Sequence, residues 1–307
     1  MRSVAFIYED ALSQHELRSD HPMRPVRLRY TYDLLREYGA FDHPQAVLLD
    51  PRLATEGELG WLHTPEYIAA VKALGSGLTN VDGTRFGFSG AGDNPVYPNM
   101  FEAAALSTGG SLLAAEAVAN GDVGAAFNIS GGLHHAAPGH ASGFCVFNDP
   151  ALAIHYFLNK GMRVVYVDID AHHGDGVQEA FYTDDRVLTI SVHESGQYLF
   201  PGTGAVIEMG VGTGRGYSVN LPLFPYTGDD DYRGYINLWG SIVQFKRGYM
   251  KRNYPGPYNV SPGIGYDKNY HYDWNLRMRP PPYFPDLQSA NNAVILKMAS
   301  YGELETF

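Results

Sequence analysis

Short, unbroken apolar runs alternate with helical stretches over about the first 225 residues, and this alternation restricts the fold more than any other feature. "SVAFIY" reads as a buried strand. "RPVRLRYTYDLLREYG" reads as a helix in which Val26, Tyr30 and Leu34 recur at helical spacing and Gly39 suits the C-terminal end. "PEYIAAVKAL" and the Ala-rich "MFEAAALSTGGSLLAAEAVANG", closed by Asn120 and Gly121, are further helices. "GAAFNI" is a strand that runs into a Gly-rich loop, and "PALAIHYFLNKG" is a helix with Pro150 in its first turn. "RVVYVDID", "GVQEAFY" and "VLTISVH" then read as strand, short helix and strand. Strands that are apolar throughout are buried on both faces. The order therefore predicts an α/β fold around a mostly parallel sheet covered by helices. Beyond about residue 240 Tyr and Pro crowd the chain, Pro280 to Pro282 exclude a helix or central strand, and "NNAVILKMASYGELETF" offers one last strand.

Composition removes several function classes. A formal net charge of -11 argues against broad nucleic-acid binding through phosphates. Cys145 is the single cysteine, so no intramolecular disulfide can form, and a reducing, cytoplasmic setting is expected. The apolar start of the chain is short and meets Glu9 and Asp10, which suits a first strand better than a signal peptide. No stretch is long and apolar enough to span a membrane, so no membrane partner is expected. With 307 residues and no internal repeat or low-complexity linker, one domain spanning 1–307 is expected, with its part after about residue 240 divergent.

Two charged clusters stand where such folds bind ligands, beyond the carboxyl ends of the strands. The first is "VVYVDIDAHHGDGVQ". Side chains alternate along a strand, so Asp168 and Asp170 are expected on one side, joined by His172 if the chain stays extended. An Asp and a His with an open position suit catalytic zinc. So many like charges repel unless a cation or partner histidines neutralise them, which makes solvated strand-end charges the weaker reading. The second cluster is "GGLHHAAPGHASGFCVFND", where His134 and His135 follow a strand in a Gly-rich loop. Imidazole can hold or release a proton near neutral pH, and a carboxylate accepting its Nδ1 proton fixes the tautomer. Phe144 could form an apolar wall, whereas His140, Cys145 and His155 carry no expected chemistry. Together the clusters form the layout of metal-assisted hydrolysis.

These residues resemble the histone deacetylase superfamily, in particular its bacterial acetoin-utilisation-type deacetylases and deacetylase-like amidohydrolases. The likeness runs from "DHPMRPVRLRYTYDLL" through "GDNPVYPNMFEAAALSTGGSLLAA" and the two clusters to "TISVHESGQYLFPGTG" and "GRGYSVNLPL". It implies a single α/β domain of the arginase–deacetylase type, with an about eight-stranded parallel sheet. It implies hydrolysis of an acetylated lysine, in a protein or peptide, or of an acetylated polyamine or similar amide. Zinc, one ion per chain, would be held by Asp170 and His172. His134 and His135 would be the proton-moving histidines, with His135 the general base, and Asp168 and Asp175 their respective carboxylates. Gly143, Phe144 and Phe200 would line a narrow tunnel, and Asp93 would hold the substrate backbone at the rim. A structural K+ or Na+ ion would sit near Asp168, Asp170, His172, Ser191 and Val192, and a second near Phe181, Asp184, Val187 and Tyr217.

Two family elements match less closely. The third zinc ligand is nominated in "SPGIGYDKNYHYD" as Asp267, and the oxyanion-stabilising tyrosine in "ASYGELE" as Tyr301, without the usual preceding glycines. A relative that binds metal and acyl-lysine without efficient turnover is therefore a second reading. A binuclear manganese ureohydrolase shares the fold but needs further acidic metal motifs. The C-terminal third offers only Asp229 to Asp231.

Overall fold

The first apolar run forms β1 (Val4–Ile7), which lies between two parallel neighbours, β2 (Ala46–Leu49) and β3 (Ala125–Asn128). Register sets Phe6 beside Leu48 on one side and beside Phe127 on the other. This computed structural model describes residues 3–14, 17–229 and 232. The described residues group into two units. One is drawn from Met1–Met162 and Gly174–Ala180, the other from Arg163–His173 and the residues from Phe181 onward.

The first unit holds the β2-β1-β3 sheet and six helices. These are α1 (Val26–Glu37), α2 (Glu56–Leu59), α3 (Pro65–Gly75), α4 (Met100–Ala119), α5 (Asp149–Asn159) and α6 (Asp175–Ala180). Their starts carry the expected chemistry. Thr55 and Glu58 form a reciprocal capping box on α2, the Thr64 hydroxyl accepts from the Tyr67 amide on α3, and Asn148 caps α5 just before Pro150. The core gathers Leu59, Tyr67, Val71, Met100, Leu112, Phe147 and Leu152. All of them are shielded completely from solvent, and each large apolar side chain so buried contributes about 1.5–3 kcal/mol.

Helix α1 forms where its periodicity predicts it. Val26, Tyr30 and Leu34 do share a face, but they are 36%, 67% and 56% exposed. The inward stripe is instead Leu28, Tyr32 and Leu35, which packs with Phe6, Tyr8 and Leu12. Both stripes have helical spacing, so periodicity finds the helix without telling which apolar face turns inward.

The second unit contains β4 (Val164–Asp168), β5 (Val187–Glu194) and β6 (Ser218–Leu223), parallel and in that order. Asp168 pairs in register with Ser191, and Ser191 with Asn220. Strand β5 is buried along most of its length, as a central parallel strand must be. Strand β6 carries Pro222, which is tolerated because β6 pairs only with β5 among the described residues. The α/β architecture with parallel strands is thus present. Six strands fall among the described residues, where about eight were expected over the whole chain. No described helix is long and apolar enough to cross a membrane.

Candidate active site

In the first unit the chemistry grows from the loop after β3. Asp149, at the start of α5, is almost fully buried, and its carboxylate accepts from the Ser111 hydroxyl and from the amides of Gly132 and Leu133. Burial raises its pKa above the ordinary carboxylate range, against the pull of those donors and of nearby His134. The loop so anchored presents His134 and His135, both buried. His135 Nδ1 lies 2.6 Å from Asp175 Oδ1, and its Nε2 lies 3.0 Å from His134 Nε2. With Nδ1–H donated to the carboxylate, His135 Nε2 bears the lone pair, and a proton on His134 Nε2 completes the contact between the rings. An imidazole held this way is built to accept a proton at Nε2.

The same unit places the residues read as substrate contacts. Gly143 and Phe144 occupy a two-residue turn with φ of 50° and 69°, closed by hydrogen bonds between Ser142 and Cys145. A phenylalanine in the left-handed region is uncommon and costs of order 1 kcal/mol or more, a strain that functional loops retain. Here it sets the Phe144 ring edge-on to His21 at 4.7 Å. His21 accepts from the Met23 amide at Nδ1 and donates from Nε2 to the Asp93 carbonyl, 3.0 Å away. The fully buried His21 thereby ties the Asp93 loop to the Phe144 turn, while Asp93 itself is exposed.

In the second unit the chain does not stay extended after β4. The Asp168 carboxylate accepts from the Asp170 amide, and the Asp170 carboxylate accepts from the His172 amide, at 3.0 and 2.8 Å. Two successive carboxylates each turn the backbone two residues on, which is why the strand ends at Asp168. Asp168 is buried and also accepts from the Tyr166 hydroxyl at 2.6 Å, whereas the Asp170 side chain is 53% exposed. The bend brings Asp170 Oδ1 within 3.0 Å of His172 Nδ1. The two side chains are hydrogen-bonded to each other, and a carboxylate oxygen and an imidazole nitrogen are donor types that zinc takes. No group of three or more metal-binding side chains occurs among the described residues. Phe200 is 42% exposed, with its ring 6.1 Å from that of His172.

Ser191, expected beside a monovalent cation, is part of a buried chain. His193 Nε2 donates to the Gly204 carbonyl at 3.1 Å, so its Nδ1 must accept from the Ser191 hydroxyl at 2.8 Å. The serine oxygen keeps its lone pairs for another donor or a cation. Burial, with His173 alongside, pushes the His193 pKa down to about 4 and keeps the ring neutral. Val192 is buried beside it on β5. Of the second cation group, Phe181 and Val187 are buried, Asp184 pairs with Arg186, and the Tyr217 carbonyl accepts from the Thr189 amide at 2.8 Å. Asp267 and Tyr301 lie outside the described residues. Sequence reasoning gave no role to His21, His63, Asn148, Asp149 or Tyr166. His21, Asn148, Asp149 and Tyr166 stood inside quoted motifs, His63 did not, and nothing in their spacing marked them.

The chain belongs to the histone deacetylase family: a histone deacetylase domain model matches residues 21–246. Within that family it is of the bacterial acetoin-utilisation type. It is 48% identical to the acetoin utilization protein AcuC of Bacillus subtilis (strain 168) over 234 residues, covering 76% of this chain and 60% of that protein. It is 39% identical to AcuC of Staphylococcus xylosus over 233 residues, 75% of this chain and 60% of that one. Among solved structures, an HDAC homolog from Aquifex aeolicus superposes with a TM-score of 0.71 at 34% identity, covering 80% of this chain and 65% of that chain. An HDAC homolog complexed with SAHA gives 0.72 at the same identity and coverage. The chain spans about 60% of the length of the curated relatives it matches.

Proposed function

We propose that this chain hydrolyses the amide of an acetylated lysine, in a protein or peptide, or of a similar acylated amine such as an acetylated polyamine, with one zinc ion per chain. The observation that carries the reading is the buried His135, 2.6 Å from Asp175 and 3.0 Å from His134, in a chain of the histone deacetylase family. Asp170 and His172, with Asp267, would hold the zinc. When bound, zinc supplies a Lewis acid for the amide carbonyl and lowers the pKa of attacking water. His135 takes a proton at Nε2 and returns one to the leaving amine, while Asp175 holds Nδ1–H and stabilises the charge that develops on the ring. His134, with Asp168 as its carboxylate, is partly redundant with His135 or acts electrostatically. Gly143, Phe144 and Phe200 act as walls for the aminoalkyl chain, Asp93 holds the substrate backbone, and the Tyr301 hydroxyl stabilises the carbonyl oxygen as it gains charge. K+ or Na+ bound at the Ser191 group and at the Phe181–Tyr217 group would be structural. The chain acts in the cytoplasm as one domain. Its path supports a single domain, since it leaves the first unit after Met162 and returns for Gly174–Ala180.

A second reading, metal and acyl-lysine binding without efficient turnover, is favoured by one observation. The family match ends at residue 246, before Asp267 and Tyr301. Metal analysis combined with a panel of acetylated peptides and polyamines, with and without a hydroxamate, separates the two. The parent should carry zinc and hydrolyse a panel member, and Asp170→Ala should lose both. Full zinc occupancy in Asp170→Ala would overturn the ligand assignment. Zinc with no hydrolysis in the parent would establish the second reading.

A further inference from the structure

We infer that Asn148 holds the His135–Asp175 pair in register and is a positioning residue for the reaction proposed above, on which this inference rests. Asn148 is fully buried, and every polar atom of its side chain is engaged. Its Nδ2 donates to the carbonyls of His134 and Ala136, 3.0 and 2.9 Å away. These belong to the residues immediately before and after His135, so one planar amide fixes the backbone on both sides of the base. Its Oδ1 accepts from the Ala151 amide at 3.0 Å and anchors the clamp to the first turn of α5. Its own backbone N–H donates to His63 Nε2 at 3.1 Å, and His63 Nδ1 donates to the next carbonyl of the loop, Ala137, at 3.1 Å.

The carboxylate half of the pair rests on the same atoms. Gly176 follows Asp175 directly. A Cβ at Gly176 would lie 2.6 Å from the His134 carbonyl, 2.7 Å from the Ala136 carbonyl and 2.8 Å from Asn148 Nδ2. Only the missing side chain lets the α6 backbone rest on the clamp. The Asn148 amide therefore touches the peptide that carries the base and the peptide that carries its partner. A small error in either displaces the 2.6 Å contact between them. A misplacement of about 1 Å in a catalytic group can cost on the order of 10²-fold in rate.

The test uses Asn148→Ser in the full chain. Serine caps a helix as well as asparagine does, but one short hydroxyl cannot reach both carbonyls. Asn148→Asp, which keeps the shape and the capping oxygen but has no donor, serves if the serine variant does not fold. The first readout is the hydrogen-bonded Nδ1 proton of His135, far downfield in the proton NMR spectrum and assigned by its loss in His135→Gln. It should move upfield or vanish through exchange in either Asn148 variant. It should persist in Ile154→Val, which trims a core side chain of the same helix and lowers stability alone. The second readout is turnover, where kcat should fall about 10²-fold with KM little changed. A folded Asn148 variant that keeps both the parent resonance and the parent kcat overturns the inference. A parent with no turnover defeats the deacetylase reading instead, and the resonance then decides the role of Asn148.

Discussion

Acid should destabilise this protein through His63 in a way that a single substitution removes. The ring is 2% exposed, donates from Nδ1 to the Ala137 carbonyl and accepts the Asn148 amide at Nε2. Burial pushes its pKa from 6.5 down to about 4. Above pH 6.5 neither the folded nor the unfolded chain binds the proton, and this contribution to stability is fully present. Between pH 6.5 and 4 the unfolded chain takes up a proton that the folded ring refuses, so stability falls as pH falls. Below 4 the loss is complete, at about 3 kcal/mol, and at pH 5 it is already about 2 kcal/mol. Glutamine at this position offers one donor and one acceptor at similar reach and does not titrate. Urea unfolding of the parent and of His63→Gln at pH 7.5 and pH 5.0 should therefore show a stability drop about 2 kcal/mol smaller in the variant. His193, also held near 4, should leave part of the acid sensitivity in place. Equal drops in the two proteins would show that His63 is protonated in the folded state, and the reasoning would fail.

Other substitutions test the site directly. His135→Ala should lower kcat by about 10²–10⁴-fold while zinc stays bound, and His134→Ala should cost less; an equal or greater loss from His134→Ala would reverse their ranking. Gly176→Ala introduces a Cβ within 2.8 Å of three polar atoms and should destabilise by about 1–3 kcal/mol, seen as a lower urea midpoint; an unchanged midpoint would mean that α6 can move aside. Phe144→Gly relieves a left-handed backbone but removes the apolar wall, so thermal stability should hold or rise while KM for an acylated peptide increases; an unchanged KM would remove Phe144 from the substrate path.

The elements most legible in the sequence were those with one strong period. The long Ala-rich helix, the Pro-started α5 and the apolar runs of β1, β4 and β5 could be read directly. Strand β2 was missed because four residues beside a Pro-rich turn give too short a pattern, and β6 because Pro222 interrupts it. The bend after Asp168 was illegible for another reason. Alternation treats a carboxylate as a side chain on a face, whereas here each carboxylate bonds to the backbone two residues on. At the site, the His134–His135 pair and the Asp168–Asp175 run announced themselves by their clustering. The groups that hold them, Asn148, Asp149 and His63, did not, because a buried amide or neutral imidazole looks in sequence like any loop residue or strand-end polar residue.

The excursion of the chain through the second unit has a consequence for synthesis. His135 and Asp175 are 40 residues apart in sequence, and the segment between them includes all of Arg163–His173. A ribosome that has delivered every residue through Met162 has supplied the base without its carboxylate. Any fragment cut at that point, or any nascent chain paused there, carries the imidazole without its orienting acid. Maturation of the pair therefore waits until the chain has been translated through Asp175, and truncation at Met162 cannot yield a first unit with this centre intact.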